Sequence, residues 1–131
     1  MKIEGQPATI NHPITKVYDF LTNFNNFKPL MPEQITNWQS DNESCSFTIQ
    51  GMANISLQFG DKTPTSFVKL VPSGKVPFDF HLEIHLSEKD DSTIVKVEVD
   101  ANLNPMMAMM AKRPLENLVN VMASNVNDAI G

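Results

Sequence analysis

The chain has little of several things that would point to a function. Among its 131 residues there is one cysteine, Cys45, so no intramolecular disulfide can form, which fits a reducing compartment. There is one arginine, Arg113, and with nine scattered lysines it is outnumbered by 15 acidic residues, for a net charge of −5. Nucleic acids and multi-phosphate cofactors need a basic face to displace counterions, and this chain offers none. No run of 18 apolar residues occurs, and the opening Met-Lys-Ile-Glu-Gly-Gln-Pro lacks an apolar signal core, so no transmembrane segment is expected and the cytoplasm is the expected location. There is no Gly-x-Ser-x-Gly elbow, P-loop, Gly-x-Gly-x-x-Gly or Cys-x-x-Cys, and the one adjacent carboxylate pair, Asp90-Asp91, is explained by a hairpin turn. Low complexity is absent too. A composition 41% hydrophobic and 19% charged is that of a globular chain, and the length predicts one domain over residues 1–131.

What is present is one long helix and a series of short strands. From Asn104, a cap, and Pro105, suited to the first turn, the residues Leu115, Leu118, Val119, Met122, Val126, Ala129 and Ile130 recur at helical spacing and form one apolar stripe, which predicts a helix running to Gly131. Glu116, Asn117, Asn120, Ser124, Asn127 and Asp128 occupy the other side. Pro114 removes the bond to the carbonyl of Met110 and should kink the helix, by a mechanism costing about 3 kcal/mol where nothing accommodates it. At the start of the chain, Ile3, Ala8 and Ile10 suggest an edge strand interrupted by Pro7. Pro13 with Ile14, Val17, Tyr18 and Leu21 predicts a short helix, and Phe24 to Met31, broken by Pro29 and closed by Pro32, a second.

After Glu33 the period becomes two. Cys45, Phe47 and Ile49, then Ala53, Ile55, Leu57 and Phe59, then Phe78 to Leu86, then Thr93 to Val99 alternate apolar with polar, as half-buried antiparallel strands do. Turn residues at Asp41-Asn42, Gly51, Gly60-Asp61 with Pro64, Pro72-Ser73-Gly74 and Lys89-Asp90-Asp91 divide this region into a meander of about six strands. A sheet with one apolar face and a helix with one apolar stripe have an economical solution. The sheet curls, the helix lies in its concave side, and the short helices close one end.

The opening strand, the run Asn11-His12-Pro13-Ile14-Thr15-Lys16-Val17-Tyr18-Asp19-Phe20-Leu21, the Phe24 to Met31 half-helix, the meander and the entry Leu103-Asn104-Pro105-Met106-Met107 together resemble the helix-grip superfamily. That superfamily includes START-related lipid-transfer domains, the birch pollen allergen and the polyketide cyclase/dehydrase and lipid-transport proteins. The resemblance covers essentially the whole chain and implies an α+β helix-grip fold, a curved antiparallel sheet of about seven strands around a long C-terminal helix, with two short helices after the first strand. It also implies a hydrophobic guest held between sheet and helix, in a cavity that some members use for cyclisation or hydrolysis.

Three sets of residues are candidates for function. Met106, Met107, Met109 and Met110 extend apolar surface around the start of the last helix, either as a cavity mouth or partner-docking patch, or as core covered by the Phe24 to Met31 region. His81, Glu83 and His85 share one strand face, with each imidazole about 6.7 Å along the chain from the Glu83 between them, so that a third metal ligand would have to come from a neighbouring strand. Asp79 lies on that face too, opposite Phe80, Leu82 and Ile84, and a solvated face with no metal is the expectation. Cys45 lies with Phe47 and Ile49 on the inner face and reads as a small hydrophobe, and His12 is explained by its place at a helix start.

These observations predict non-catalytic binding or transport of a small apolar or amphipathic molecule, with no cofactor. Its lining would be Phe27 and Met31 from the half-helix, Phe47, Leu57, Phe59, Phe80, Leu82, Ile84 and Val97 from strands, and Met107, Ala111, Leu118 and Met122 from the last helix. One rival is a protein-interaction module with a packed core, docking a protein partner or a second copy through Met106, Met109 and Met110. The other is a cyclase- or hydrolase-like enzyme in the same cavity, which would require an inward polar pair that the sequence does not display.

Overall fold

The computed structural model describes residues 1–76 and 78–130; Gly131, the end of the predicted last helix, lies outside them. Its elements are β1 (Lys2–Glu4), β2 (Ala8–Ile10), α1 (Ile14–Leu21), two 3₁₀ turns (Phe24–Asn26 and Lys28–Leu30), β3 (Ile35–Ser40), β4 (Ser44–Ile49), β5 (Ala53–Thr63), β6 (Phe67–Pro72), β7 (Phe80–Lys89), β8 (Ser92–Ala101) and α2 (Pro105–Ile130). The strands form one antiparallel sheet in the order β1-β8-β7-β6-β5-β4-β3, with β2 also paired to β8. The fold is α+β, a curved sheet gripping a long C-terminal helix.

Two details differ from the sequence expectation. The opening strand is two strands: Lys2–Glu4 pairs with the end of β8 and Ala8–Ile10 with its start, because Pro7 cannot donate to a ladder and the chain leaves the sheet at Gly5. Gly60-Asp61 is not a turn but a bulge inside β5. Phe59 faces Leu70 and Lys62 faces Val68, so two residues oppose Lys69 alone, and the chain reverses only around Thr65, at φ 52°.

The inner face of the sheet is apolar except at Thr93, whose hydroxyl donates to the His12 carbonyl at 2.9 Å. Ile55, Val68, Leu70, Ile84, Val95, Val97 and Val99 are almost completely shielded, and α2 lays Ala111, Leu115, Leu118, Val119, Met122, Ala123 and Val126 against them. Each large side chain buried there contributes about 1.5–3 kcal/mol. The polar side of α2 is not merely solvated. Asn120 Oδ1 accepts from the Gln6 N–H at 2.7 Å, Asn127 Oδ1 from the Asn11 N–H at 2.8 Å, and Asn125 Nδ2 donates to the Leu30 carbonyl at 3.3 Å. These bonds tie the helix to the N-terminal segment and to the 3₁₀ turns.

α2 starts as the sequence predicts, with Asn104 Oδ1 accepting from the Met107 N–H at 2.9 Å. It continues through Pro114, whose carbonyl accepts from Gln34 Nε2 at 3.3 Å while Gln34 Oε1 accepts from Asn117 Nδ2 at 2.9 Å. Among the described residues no helix is long and apolar enough to cross a membrane.

Candidate functional site

An apolar cleft lies between α2 and the sheet, toward the end where β7 begins and β8 ends. Eight of the residues expected around a guest line it: Phe27 and Met31 beside the 3₁₀ turns, Phe47, Leu57, Phe80 and Leu82 from strands, and Leu118 and Met122 from α2. Ile49, Ile55, Leu70, Val99 and Leu115 complete the wall, with Phe78, the first residue of the alternating run to Leu86, just ahead of β7; Trp38 adds aromatic surface that periodicity did not indicate. The lining side chains present only apolar atoms to the cleft, the indole N–H of Trp38 being covered, and none is an acid or base. The space left among them is about 20 Å³, room for a single water molecule, against several hundred for a site holding a drug-sized ligand.

The other expected residues lie elsewhere. Ile84 and Val97 are a directly opposed cross-strand pair, fully packed farther along β7 and β8. Phe59 stacks on Phe24, with ring centroids 4.2 Å apart, and Lys62 Nζ sits 4.9 Å from its centre. Ala111 is buried and Met107 half-buried in the part of α2 that precedes Pro114, whereas α2 meets the cleft only after it.

The other methionines are not covered by the Phe24 to Met31 segment. Met106, Met109 and Met110 are 74%, 84% and 64% exposed, making an apolar patch beside the exposed Lys112 and Arg113. Cys45 is buried beside Leu57, and burial pushes its thiol up to about 12, the opposite of an activated nucleophile.

The convex face carries a polar cluster. Glu83 holds both histidines, His81 Nε2 at 3.1 Å on one carboxylate oxygen and His85 Nε2 at 3.2 Å on the other. Glu98, opposite Glu83 on β8, is only 8% exposed and lies 3.7 Å from His85 Nε2, 3.5 Å from Lys2 Nζ and 3.6 Å from Lys96 Nζ. Lys96 also donates to Glu4 at 3.1 Å, an exposed pair that holds the Glu4 carboxyl below its usual range. Glu83, His85 and Glu98 bring donor atoms within 4.8 Å of one another, so the third ligand that strand spacing left wanting is supplied by β8, and the set could take a divalent cation. Lys2 and Lys96 already neutralise Glu98, and the cluster is complete as an ion-pair network. Glu98 was not singled out by sequence because its importance depends on the β7–β8 register.

No protein-family model matches the chain, and no curated protein matches it. Solved structures do resemble it. The protein TTHA0849 from Thermus thermophilus superposes with a TM-score of 0.78 at 9% identity, over 99% of this chain and 97% of that one. The KanY protein gives 0.81 at 7% identity, with the same coverage. A START superfamily protein from Mycobacterium smegmatis gives 0.68 at 12% identity, over 97% of each chain. At such identities the likeness is one of fold. The chain has the helix-grip fold of START-like proteins, as the order of its elements implied.

Proposed function

We propose that this helix-grip protein binds a small, largely apolar molecule between its sheet and α2 and leaves it chemically unchanged. The observation that carries this reading is the cleft: side chains from the 3₁₀ turns, six strands and α2 converge there without one titratable group among them. Acyl transfer, hydrolysis and cyclisation need a base, a nucleophile or a stabilised oxyanion at the reacting atom, and such a wall supplies none. A guest larger than water enters by displacing side chains. Met31 and Met122 are unbranched thioethers that repack at low cost, and Met31, Trp38, Phe78 and Phe80 are already partly exposed at the rim. Native mass spectrometry of protein purified gently from its own host, followed by solvent extraction, tests the reading. A stoichiometric apolar passenger is expected. A clean apo mass, with no uptake of a hydrophobic dye by the folded protein, would sink it.

A second reading is favoured by the exposed methionines and by the small free volume of the core: a filled domain that docks on another protein through Met106, Met109 and Met110. Replacing all three by Gln separates the two. Association lost with dye uptake intact supports docking, whereas loss of dye uptake makes the methionines the mouth of the cleft.

A further inference from the structure

β3 carries one more residue than the strand it pairs with. Thr36 faces Thr48 and Gln39 faces Ser46, so Asn37 and Trp38 together oppose Phe47. Unbroken alternation from Ile35 would have turned Asn37 inward and Trp38 outward. Instead Asn37 adopts φ 57°, a region that Asn tolerates better than most residues, and its Nδ2 donates to Thr48 Oγ1 at 3.2 Å. The bulge thereby delivers the indole of Trp38 to the inner face, stacked on Phe47 with centroids 5.5 Å apart and planes at 14°.

Bringing the indole inside strands its polar atom. Trp38 Nε1 is cut off from solvent and has no hydrogen-bond partner among the described residues. An indole N–H can only donate, and leaving it unpaired in an apolar wall is unfavourable. A trapped water is a poor answer, because buried waters are held by about two to four polar groups and the rest of this wall is apolar.

We infer that Trp38 is the polar anchor of the cleft and that its N–H, covered in this structure, is bared when a guest displaces the side chains around it and then donates to an acceptor oxygen on that guest; this rests on the cleft being a binding site. The wall also restricts the acceptor. With no cation in the lining, a carboxylate or phosphate would enter uncompensated, and a hydroxyl would bring a donor with nothing to receive it. The ligand class is therefore a neutral apolar molecule with a carbonyl or ether oxygen, such as a ketone, an ester or a lactone.

Two dyes test this on the intact protein: Prodan, a naphthyl ketone whose emission moves to the red when its carbonyl accepts a hydrogen bond, and N-phenyl-naphthylamine, of similar bulk but without a carbonyl. Trp38 is the only tryptophan, so quenching of its emission reports that a dye is bound to the wild-type protein, and mutual displacement of the two dyes reports that they share one site. In the wild-type protein, bound Prodan is expected to emit as a hydrogen-bonded ketone. In Trp38→Phe, which retains an aromatic ring against Phe47, the preference for Prodan over N-phenyl-naphthylamine is expected to fall roughly five- to tenfold. Emission from wild-type-bound Prodan like that in a hydrocarbon overturns the anchor without requiring any variant. So does an unchanged preference in Trp38→Phe, or an ordered water on Nε1 held by other protein atoms in a high-resolution structure. Failure of both dyes to bind the wild-type protein is a different result: the cleft reading falls, and the anchor with it.

Discussion

Gly5 lies where the helix and the sheet come closest, and Gly5→Ala should be among the most damaging single-methyl additions in the chain. A Cβ at this position would stand 2.9 Å from the carbonyl oxygen of Val119 on α2 and 2.9 Å from that of Val97 on β8. Ordinary contact begins near 3.4 Å, so each approach is about half an ångström too short, and both obstacles are backbone. One oxygen belongs to the helix and one to the sheet, so relief requires parting them. Gly5 cannot simply withdraw, because its N–H donates to Val97 O at 2.8 Å and anchors the connection between β1 and β2. Overpacking of this kind costs about 2–3 kcal/mol, which at this chain length lowers the melting midpoint on the order of 10 °C. Urea unfolding followed by circular dichroism measures it, with the midpoint falling at an unchanged slope. Gly51→Ala is the control: nothing lies within 4 Å of its Cβ, but φ is +75°, so its cost of about 1 kcal/mol is purely conformational. If Gly5→Ala proved no worse than Gly51→Ala, the close approach of helix and sheet would be refuted.

Three further outcomes follow from particular side chains. Cys45, with its thiol pushed up to about 12, should ignore Ellman's reagent at mildly alkaline pH until the protein is unfolded; prompt labelling of the native state would contradict its burial. Glu98→Gln removes the carboxylate shared by Lys2, Lys96 and His85 and should cost about 1–2 kcal/mol in urea unfolding, since the exposed lysines regain water; unchanged or higher stability would mean that desolvation of Glu98 outweighs its ion pairs. Asp41 accepts from the N–H groups of Glu43 and Ser44, both at 2.8 Å, which holds its carboxyl below the usual range. A depressed folded-state pKa gives stability that is present above the unfolded value and lost as pH falls through the folded one, so Asp41→Asn should lose less stability than wild type on acidification below about pH 4. Parallel acid limbs for the two proteins would show that the turn does not bind Asp41 preferentially as the anion.

Much of the cleft could be read from period two and period 3.6 alone. Phe47, Leu57, Leu82, Leu118 and Met122 are where alternation and the helical stripe put them, because the inner face of a curled sheet has little freedom once its register is set. Periodicity reports which face a residue is on, however, and not where along the strand the helix touches it. Ile84 and Val97 share the inner face with Leu82 and Val99 yet lie beyond the cleft, and the same face turns Phe59 toward Phe24. Trp38 was hidden for a different reason. A bulge inverts the alternation locally, and a single Asn at positive φ leaves no periodic trace.

By itself, then, the amino-acid sequence determined the order of elements, the long helix with its cap, the meander and the apolar face of each strand, since these follow from local spacing and turn chemistry. Tertiary structure decided the rest: the approach of α2 to the sheet at Gly5, the pairing of Glu83 with Glu98, the exposure of the methionines and the inward turn of Trp38. Each of these depends on which residues far apart in the chain come to face one another. That is a matter of register and packing, and no window of neighbouring residues contains it.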